Sequence, residues 1–290
     1  MAVLLALASA LAYGLSDFIG GLVARRTSAW SVAVVGSLTA AACTAVLAAF
    51  VPGDPGPADL AWAVLAGLGS GAGAGFLYRG FAAGRMGVVA PVSAVGAAVV
   101  PLLVGVVSGE RPALLAWVGI AAALPGIWLV SREPVPEDPA EQDPGDQDAG
   151  HRSATAAGVV DGLLAGLGFG VLFAALGQIP ESAGLWPLAL TQLLSVPAVV
   201  VIAGLLRESW LPRHRAAWQA VWCGLLSTVA TATFLFATQR GFLTISGVLA
   251  SLYPAFTILL AAVVLKEHIH RAQALGLVLC GGAVALVAAG

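Results

Sequence analysis

The sequence has little charge and no extended polar surface. Only 10% of its 290 residues are charged and 59% are hydrophobic, whereas a soluble domain carries about 25% charged residues. The mean hydropathy is +0.95. One soluble core could not bury this much apolar surface, so a lipid bilayer is the solvent that fits the chain. The Lys and Arg residues form no basic patch, which excludes a nucleic-acid-binding protein.

Other absences narrow the function further. The three cysteines lie far apart in apolar segments without CxxC spacing, which predicts small core residues. No Walker motif is present, so ATP does not drive a transport step directly. His268 and His270 lack a third ligand at suitable spacing, so no metal site is expected. The N-terminus has no positively charged start and a long apolar run, which predicts a retained first membrane helix.

Long apolar runs dominate what is present. A spanning helix needs about 20 mostly apolar residues, and charges with Pro/Gly clusters cut the chain into ten such pieces. The predicted spans are 2–24, 29–51, 59–79, 87–107, 112–131, 154–176, 185–206, 216–238, 244–265 and 271–289. Between the fifth and sixth lies an acidic, proline-rich segment, 132–153, that we predict to be a disordered linker.

Residues on the two sides of the linker repeat at a nearly constant offset of 156 to 158. The matching positions are Tyr13 and Phe169, Trp30 and Trp186, Trp62 and Trp218, Phe76 and Phe234, Glu110 and Glu267, and Gly119 and Gly276. A steady offset along the whole chain indicates an internal repeat. Because five is odd, the second copy enters the membrane from the opposite side. We therefore predict an all-α membrane protein of ten transmembrane helices, built as two inverted five-helix repeats, 1–131 and 154–290.

The positive charges favour one orientation. Eleven basic residues fall in or beside the loops after helices 1, 3, 5, 7 and 9, and only Arg111 and Arg240 fall on the other side. By the positive-inside rule the first side is cytoplasmic. The linker is then predicted in the cytoplasm and both termini outside.

Asp17 is the most informative polar residue, because an ionised carboxylate at membrane depth costs several kcal/mol unless it is paired or faces water. Ser9, Tyr13, Ser16, Asp17 and Gly20 share one helical stripe. Such a stripe is expected to face a cavity or a partner helix. Two interpretations stay open: contact with substrate or protons, and a structural ion pair with Arg79.

Prolines mark two further helices. Pro91 and Pro101 interrupt the fourth predicted helix, and Pro254 interrupts the ninth. Helices broken at matching places in two repeats point to a transport site, so these prolines are hinge candidates, although simple kinks explain them equally well.

The remaining candidates lie on or near these elements. They are Ser93 in the fourth helix, Ser251 and Tyr253 in the ninth, and Gln192 in the seventh. The polar amide of Gln192 is costly to bury in an apolar span, so we expect it to line the cavity. Glu110 and Glu267 lie at helix ends, where capping explains them better than substrate contact. In the third helix, Gly67, Gly71 and Gly75 predict close helix packing.

The chain resembles the EamA-type drug/metabolite transporters. The resemblance is carried by YGLSDFIGG in helix 1 and by two copies of a Pro-containing helix followed by Glu and a Gly-opened helix, APVSAVGAAVVPLLVGVVSGERPALLAWVGIAAALPG and ASLYPAFTILLAAVVLKEHIHRAQALGLVLCGG. It implies a plasma-membrane carrier, often an exporter of amino acids or related compounds, with a central cavity between the halves. Asp17 departs from the family pattern, in which this position is often neutral.

The leading hypothesis is a secondary active transporter that moves small polar metabolites by alternating access. No cofactor is expected, and protons are the coupling ion if Asp17 titrates. The alternatives are a polytopic membrane enzyme, for which only Asp17 and Asp161 are candidate catalytic acids, and a channel without carrier activity. The expected partners are a small-molecule substrate and the lipid bilayer, and the sequence does not indicate an oligomeric state.

Overall fold

The fold is seen in a computed structural model that describes residues 1–83, 86–131, 147–264 and 269–290. Within these ranges the chain forms eleven α-helices. They are α1 (Ala2–Ala24), α2 (Ala29–Phe50), α3 (Pro57–Ala82), α4 (Met86–Val107), α5 (Leu114–Ser131), α6 (Gln147–Leu176), α7 (Trp186–Leu205), α8 (Val221–Gln239), α9 (Leu243–Ala250), α10 (Tyr253–Val264) and α11 (Arg271–Ala289). Short 3-10 helices, Glu181–Ala183 and Arg215–Ala220, precede α7 and α8.

These helices supply ten candidate membrane spans, as predicted. Helices α9 and α10 together form the ninth span, Leu243–Val264, and α11 forms the tenth. Helix α6 begins at Gln147, so the end of the predicted linker belongs to this helix. The rest of the linker, 132–146, lies outside the described residues, as do Glu267 and His268.

Helix ends follow the local sequence chemistry. Pro57 opens α3, where its missing N–H is not needed. The Asp59 side chain turns back to accept the Gly56 N–H at 2.8 Å, satisfying a donor before the first turn. After α4, Gly109 adopts φ +92°, a conformation that favours glycine, and the chain turns into α5.

The helices pack as two interlocked copies of one unit. Helix α1 packs against α8 and α10, and its counterpart α6 packs against α3 and α4. Helix α2 meets its own counterpart α7, and α5 meets α11. Exchanging the two halves therefore preserves the contact pattern, as an inverted repeat requires, and the main contacts run between the halves.

Small residues allow the backbones of the two halves to approach closely. A Cβ at Gly67 would lie 2.7 Å from the Thr191 carbonyl oxygen, and one at Gly71 would lie 2.6 Å from that of Ser195. The packing role predicted for the α3 glycines is thus confirmed, because α7 packs on Gly67 and Gly71 and the Trp30 ring of α2 packs on Gly75.

The structure differs from the expectation that proline breaks both repeats at matching places. Helix α4 is continuous through Pro91 and Pro101, whereas the chain leaves the helix at Ser251 and Leu252, just before Pro254. Pro101 instead packs on α9, where a Cβ at Gly247 would lie 2.6 Å from its ring. Neighbouring helices can hold a proline-containing helix straight, so the residue alone does not determine a break.

Glu110 joins the two halves by capping a helix. Its two carboxylate oxygens accept the N–H groups of Leu243 and Thr244, at 2.6 and 2.8 Å, at the first turn of α9. The first turn of a helix has N–H groups without acceptors and a partial positive charge. A carboxylate there accepts the hydrogen bonds and interacts favourably with that charge. The predicted capping role is confirmed for Glu110, with the helix it caps lying in the other repeat.

We expect Glu110→Ala to lower the free energy of unfolding by about 1–2 kcal/mol, because two N–H groups lose a charged acceptor. Thermal unfolding of purified protein in detergent measures this. Arg111→Ala is the matched control, since the exposed Arg111 guanidinium hydrogen-bonds to the Val106 and Glu110 carbonyls and, among the described residues, to no side chain. Equal melting shifts in the two variants would contradict the capping role.

Candidate functional site

A small cavity lies where the two halves meet. Its volume is about 40 Å³, which is room for about three water molecules. The lining residues come from the first three spans of each half: Tyr13, Ser16, Asp17, Ala33, Gly36, Ser37, Ser70, Ala74, Tyr78, Phe169, Leu172, Gln192, Cys223 and Ser227. The cavity is therefore a feature of both repeats together and is absent from either one alone.

The lining follows the internal repeat. Four pairs of repeat-related positions face the cavity from opposite halves: Tyr13 with Phe169, Ser16 with Leu172, Gly36 with Gln192, and Ser70 with Ser227. The cavity thus lies on the pseudo-two-fold axis. A site on this axis can be reached alternately from either side when the halves rock.

Asp17 breaks the symmetry of the lining. Its repeat-related position, 156 residues later, is Phe173, a buried ring that stacks on Phe234 at 4.5 Å. Asp17 is only 6% exposed, yet no hydrogen bond or ion pair joins its carboxylate to another described residue. The negative charge of the site therefore comes from one repeat only.

Polar anchors hold α1 in the rotation that aims Asp17 at the cavity. The Ser9 hydroxyl donates to the Ala230 carbonyl at 2.8 Å, and the Ser16 hydroxyl donates to the Cys223 carbonyl at 3.3 Å. Both acceptors belong to α8, so the polar stripe predicted on α1 faces a partner helix along part of its length and the cavity at Asp17.

Arg79 does not pair with Asp17, so the ion pair considered from sequence is wrong. The Arg79 Nε donates to Asp161 Oδ1 at 2.8 Å, and the Arg79 Nη2 contacts the same oxygen. The guanidinium also lies over the Phe76 ring, 4.7 Å from its centre. Sequence reasoning placed Arg79 and Asp17 at similar membrane depth, but α6 packs against α3 and supplies the carboxylate that Arg79 binds.

We expect Arg79→Ala to lower the free energy of unfolding by about 2 kcal/mol, because the buried Asp161 carboxylate loses two charge-assisted hydrogen bonds from Arg79. Arg79 is itself partly exposed, which limits the loss. The double variant Arg79→Ala/Asp161→Asn is expected to recover most of the loss in a thermal-unfolding assay. A double variant no more stable than Arg79→Ala would show that the loss of stability does not come from the Arg79–Asp161 pair.

The other candidates fall into two groups. Tyr13, Ser16 and Gln192 line the cavity with Asp17, and the Gln192 amide donates to the Thr231 hydroxyl at 3.2 Å. Tyr253 lies behind Tyr13, with ring centres 6.3 Å apart.

The second group sits outside the lining. Ser93 and Tyr253 bond to each other through their hydroxyls at 3.3 Å, and the Ser251 hydroxyl donates to the Gly247 carbonyl. The site is thus built from α1–α3 and α6–α8 rather than from the helices that contain the hinge candidates Pro91, Pro101 and Pro254.

Comparison with known proteins identifies the family. The sequence matches the EamA-like transporter family over residues 1–132 and 156–289, which is nearly the whole chain. The chain belongs to the EamA-like transporter family. A solved crystal structure, 16% identical, has the same fold with a TM-score of 0.66 and covers 98% of this chain and 95% of that chain. No curated protein matches the sequence.

Membership of the EamA-like transporter family indicates that the two halves and the cavity between them belong to a membrane transporter. The family's members are membrane transporters rather than enzymes, and the two matched segments correspond to the two halves that enclose the cavity. Among the described residues, no group of His, Cys, Asp and Glu is arranged to hold a metal ion.

Several lining residues of this EamA-like transporter escaped sequence reasoning: Ser37, Ser70, Tyr78, Phe169, Cys223 and Ser227. The repeat could have found two of them, because Phe169 stands at the position of Tyr13, and Ser227 at that of Ser70. Tyr78 gave no such signal. It reaches the cavity because Gly20 leaves space for its ring, which a Cβ at Gly20 would meet at 2.4 Å.

The electrostatics of the lining are one-sided. Asp17 is its only acidic residue, and no Lys, Arg or His belongs to it. The remaining polar groups are hydroxyls, an amide and a thiol. The site can therefore hold a cation or a proton on Asp17 and orient a small polar molecule by hydrogen bonds.

Proposed function

We propose that this EamA-like transporter is a secondary carrier that moves small polar metabolites, amino acids or related compounds, across the plasma membrane by alternating access, and that it works as an exporter. The observation that carries the proposal is the Asp17 carboxylate, unpaired among the described residues, on a cavity formed by both repeats. A buried charge without a partner is costly, and in a membrane protein it marks a substrate or ion pathway.

Contacts at both ends of the bundle support alternating access. At the end where α3 finishes and the sixth span starts, Arg79 pairs with Asp161 across the two halves. At the opposite end, the Asp54 N–H donates to the Ser182 carbonyl at 3.0 Å, and Glu110 caps α9. Both sets of contacts join one half to the other. Rocking that breaks one set while keeping the other opens the cavity to one side at a time.

Proton coupling is part of the proposal. The titratable groups that face Asp17 are Tyr13 on its own helix, Tyr78 on α3 and Cys223 on α8, with Tyr253 behind Tyr13. None of them is a base that would fix the Asp17 charge. The carboxyl group can therefore gain a proton on one side of the membrane and release it on the other as the halves rock.

The orientation proposed from the charge bias places the loops after α1, α3, α5, α7 and the ninth span in the cytoplasm and the termini outside. A single added cysteine in the loop between α2 and α3, at exposed Asp54, provides the test. A membrane-impermeant thiol reagent added outside intact cells labels it in the proposed orientation. Labelling only after cell lysis would reverse the orientation.

Solute counterflow in proteoliposomes tests the carrier function. Vesicles loaded with a millimolar pool of unlabelled amino acids or amines are diluted into trace amounts of the labelled compound, and a carrier produces a transient overshoot of label. A channel equilibrates label without overshoot, because it does not exchange one bound solute for another. Failure of a broad panel of such compounds to give an overshoot above protein-free vesicles overturns the proposal.

A further inference from the structure

We infer that the cavity selects small organic cations, compounds that carry an ammonium group and no carboxylate. The inference rests on the proposed carrier function and names the substrate class of that same site. It narrows the amino-acid-related compounds to amines and quaternary ammonium compounds.

The charge of the cavity lining favours a cationic substrate. Asp17 is the only ionisable carboxylate that faces the cavity, and no basic side chain balances it. An ammonium group supplies the missing countercharge beside the buried Asp17 carboxylate. A substrate carboxylate would instead lie in the same small cavity as Asp17 with no basic side chain to receive it. Anions and zwitterions are therefore disfavoured relative to cations of similar shape.

The aromatic rings of the cavity lining also favour a cationic substrate. Tyr13, Tyr78 and Phe169 line the cavity beside Asp17, one each from α1, α3 and α6. The faces of aromatic rings attract cations, and grouped rings of this kind recognise quaternary ammonium ligands. The Tyr13 hydroxyl is buried and has no hydrogen-bond partner among the described residues, so it is available to a polar group of the substrate.

The broken helix does not line this cavity, so it offers no N–H group to a carboxylate bound there. Free N–H groups at a helix break can bind an anion. Here the N–H groups of Ser251, Leu252 and Ala255 already donate to carbonyls of their own chain, and the break does not line the cavity. Pro254 has no N–H to offer.

Binding of choline, its zwitterionic relative glycine betaine and its neutral carbon isostere tests the charge requirement directly. All three are larger than the roughly three water molecules that the cavity has room for, so each needs the halves to open to a similar extent, and charge is the main difference between them. Radiolabelled choline is bound to purified protein in detergent, and the other compounds, with methylammonium and tetramethylammonium, are added as competitors. We expect the cations to compete and the betaine and neutral isostere to be weaker by about tenfold or more.

Variants locate the binding. Asp17→Asn is expected to weaken choline binding by about tenfold or more, and Phe169→Leu by about fivefold. Glu208→Gln, which removes a carboxylate charge at an exposed loop position, is expected to leave it unchanged. Each variant is checked by gel filtration for the elution volume of the unmodified protein, so that a misfolded sample is not scored as a loss of binding.

The outcomes separate this inference from the carrier function. Equal binding of betaine and choline, full choline binding by Asp17→Asn, or no binding of any of the cations overturns the cation site. Counterflow of amino acids without binding of the cations also overturns it and leaves the carrier function standing. Choline binding that depends on Asp17, with no counterflow of any solute, keeps the cation site and overturns the carrier function.

Discussion

Replacing Asp17 by Asn is expected to reduce uptake driven by a pH gradient to the level of vesicles without protein. The amide has nearly the same shape as the carboxyl group but cannot gain or release a proton, and it carries no charge to bind a cation. Asp17 makes no hydrogen bond or ion pair with another described residue, so its replacement removes no contact that holds the helices together. Expression level and gel-filtration profile should therefore be unchanged.

The measurement is uptake of a labelled substrate into proteoliposomes with and without an imposed pH gradient. Glu208→Gln is the matched control, because it removes a carboxylate charge from an exposed loop. Normal gradient-driven uptake by Asp17→Asn would leave this residue only a structural role. Loss of uptake in both variants would show that the effect does not come from the cavity.

Replacing Gly168 by Val is expected to prevent the two halves from assembling. A Cβ at Gly168 would lie 2.5 Å from the backbone nitrogen of Gly73 and 2.7 Å from the carbonyl oxygen of Gly69, both on α3. Backbone atoms cannot move aside as the end of a flexible side chain can, so α6 would have to leave α3. Overpacking costs about 1–3 kcal/mol where neighbours can adjust, and we expect more than that here.

Gly281→Val provides the matched control for this variant. Gly281 lies in α11, is exposed, and has nothing within 4 Å of the position of its Cβ. The fraction of monodisperse protein after solubilisation and the midpoint of thermal unfolding are measured for both variants. A Gly168→Val protein that is as stable as Gly281→Val would show that the halves do not approach as closely as described.

Much of the fold was predictable because its signals are local. Ten apolar runs and an offset of 156 to 158 predict ten spans and two copies, and a carboxylate in an apolar helix marks Asp17 without any knowledge of its neighbours. The close-packing role of the α3 glycines was likewise predictable from their spacing. The prolines did not predict the position of helix breaks in both repeats, since Pro91 and Pro101 lie in a continuous helix that α9 supports.

The amino-acid sequence by itself determined that this protein lies in a membrane, that it is an inverted repeat, and that one acid must face something polar. Hydropathy acts within a single helix, and the repeat shows as matching residues at a constant offset, so both are readable along the chain without knowledge of any contact. Tertiary structure alone decided that Arg79 binds Asp161, that Glu110 caps a helix of the other repeat, and that α1–α3 and α6–α8 enclose the cavity. Partners in a helical bundle depend on helix rotation and distance between segments far apart in the chain, and the packing of all the helices together sets both.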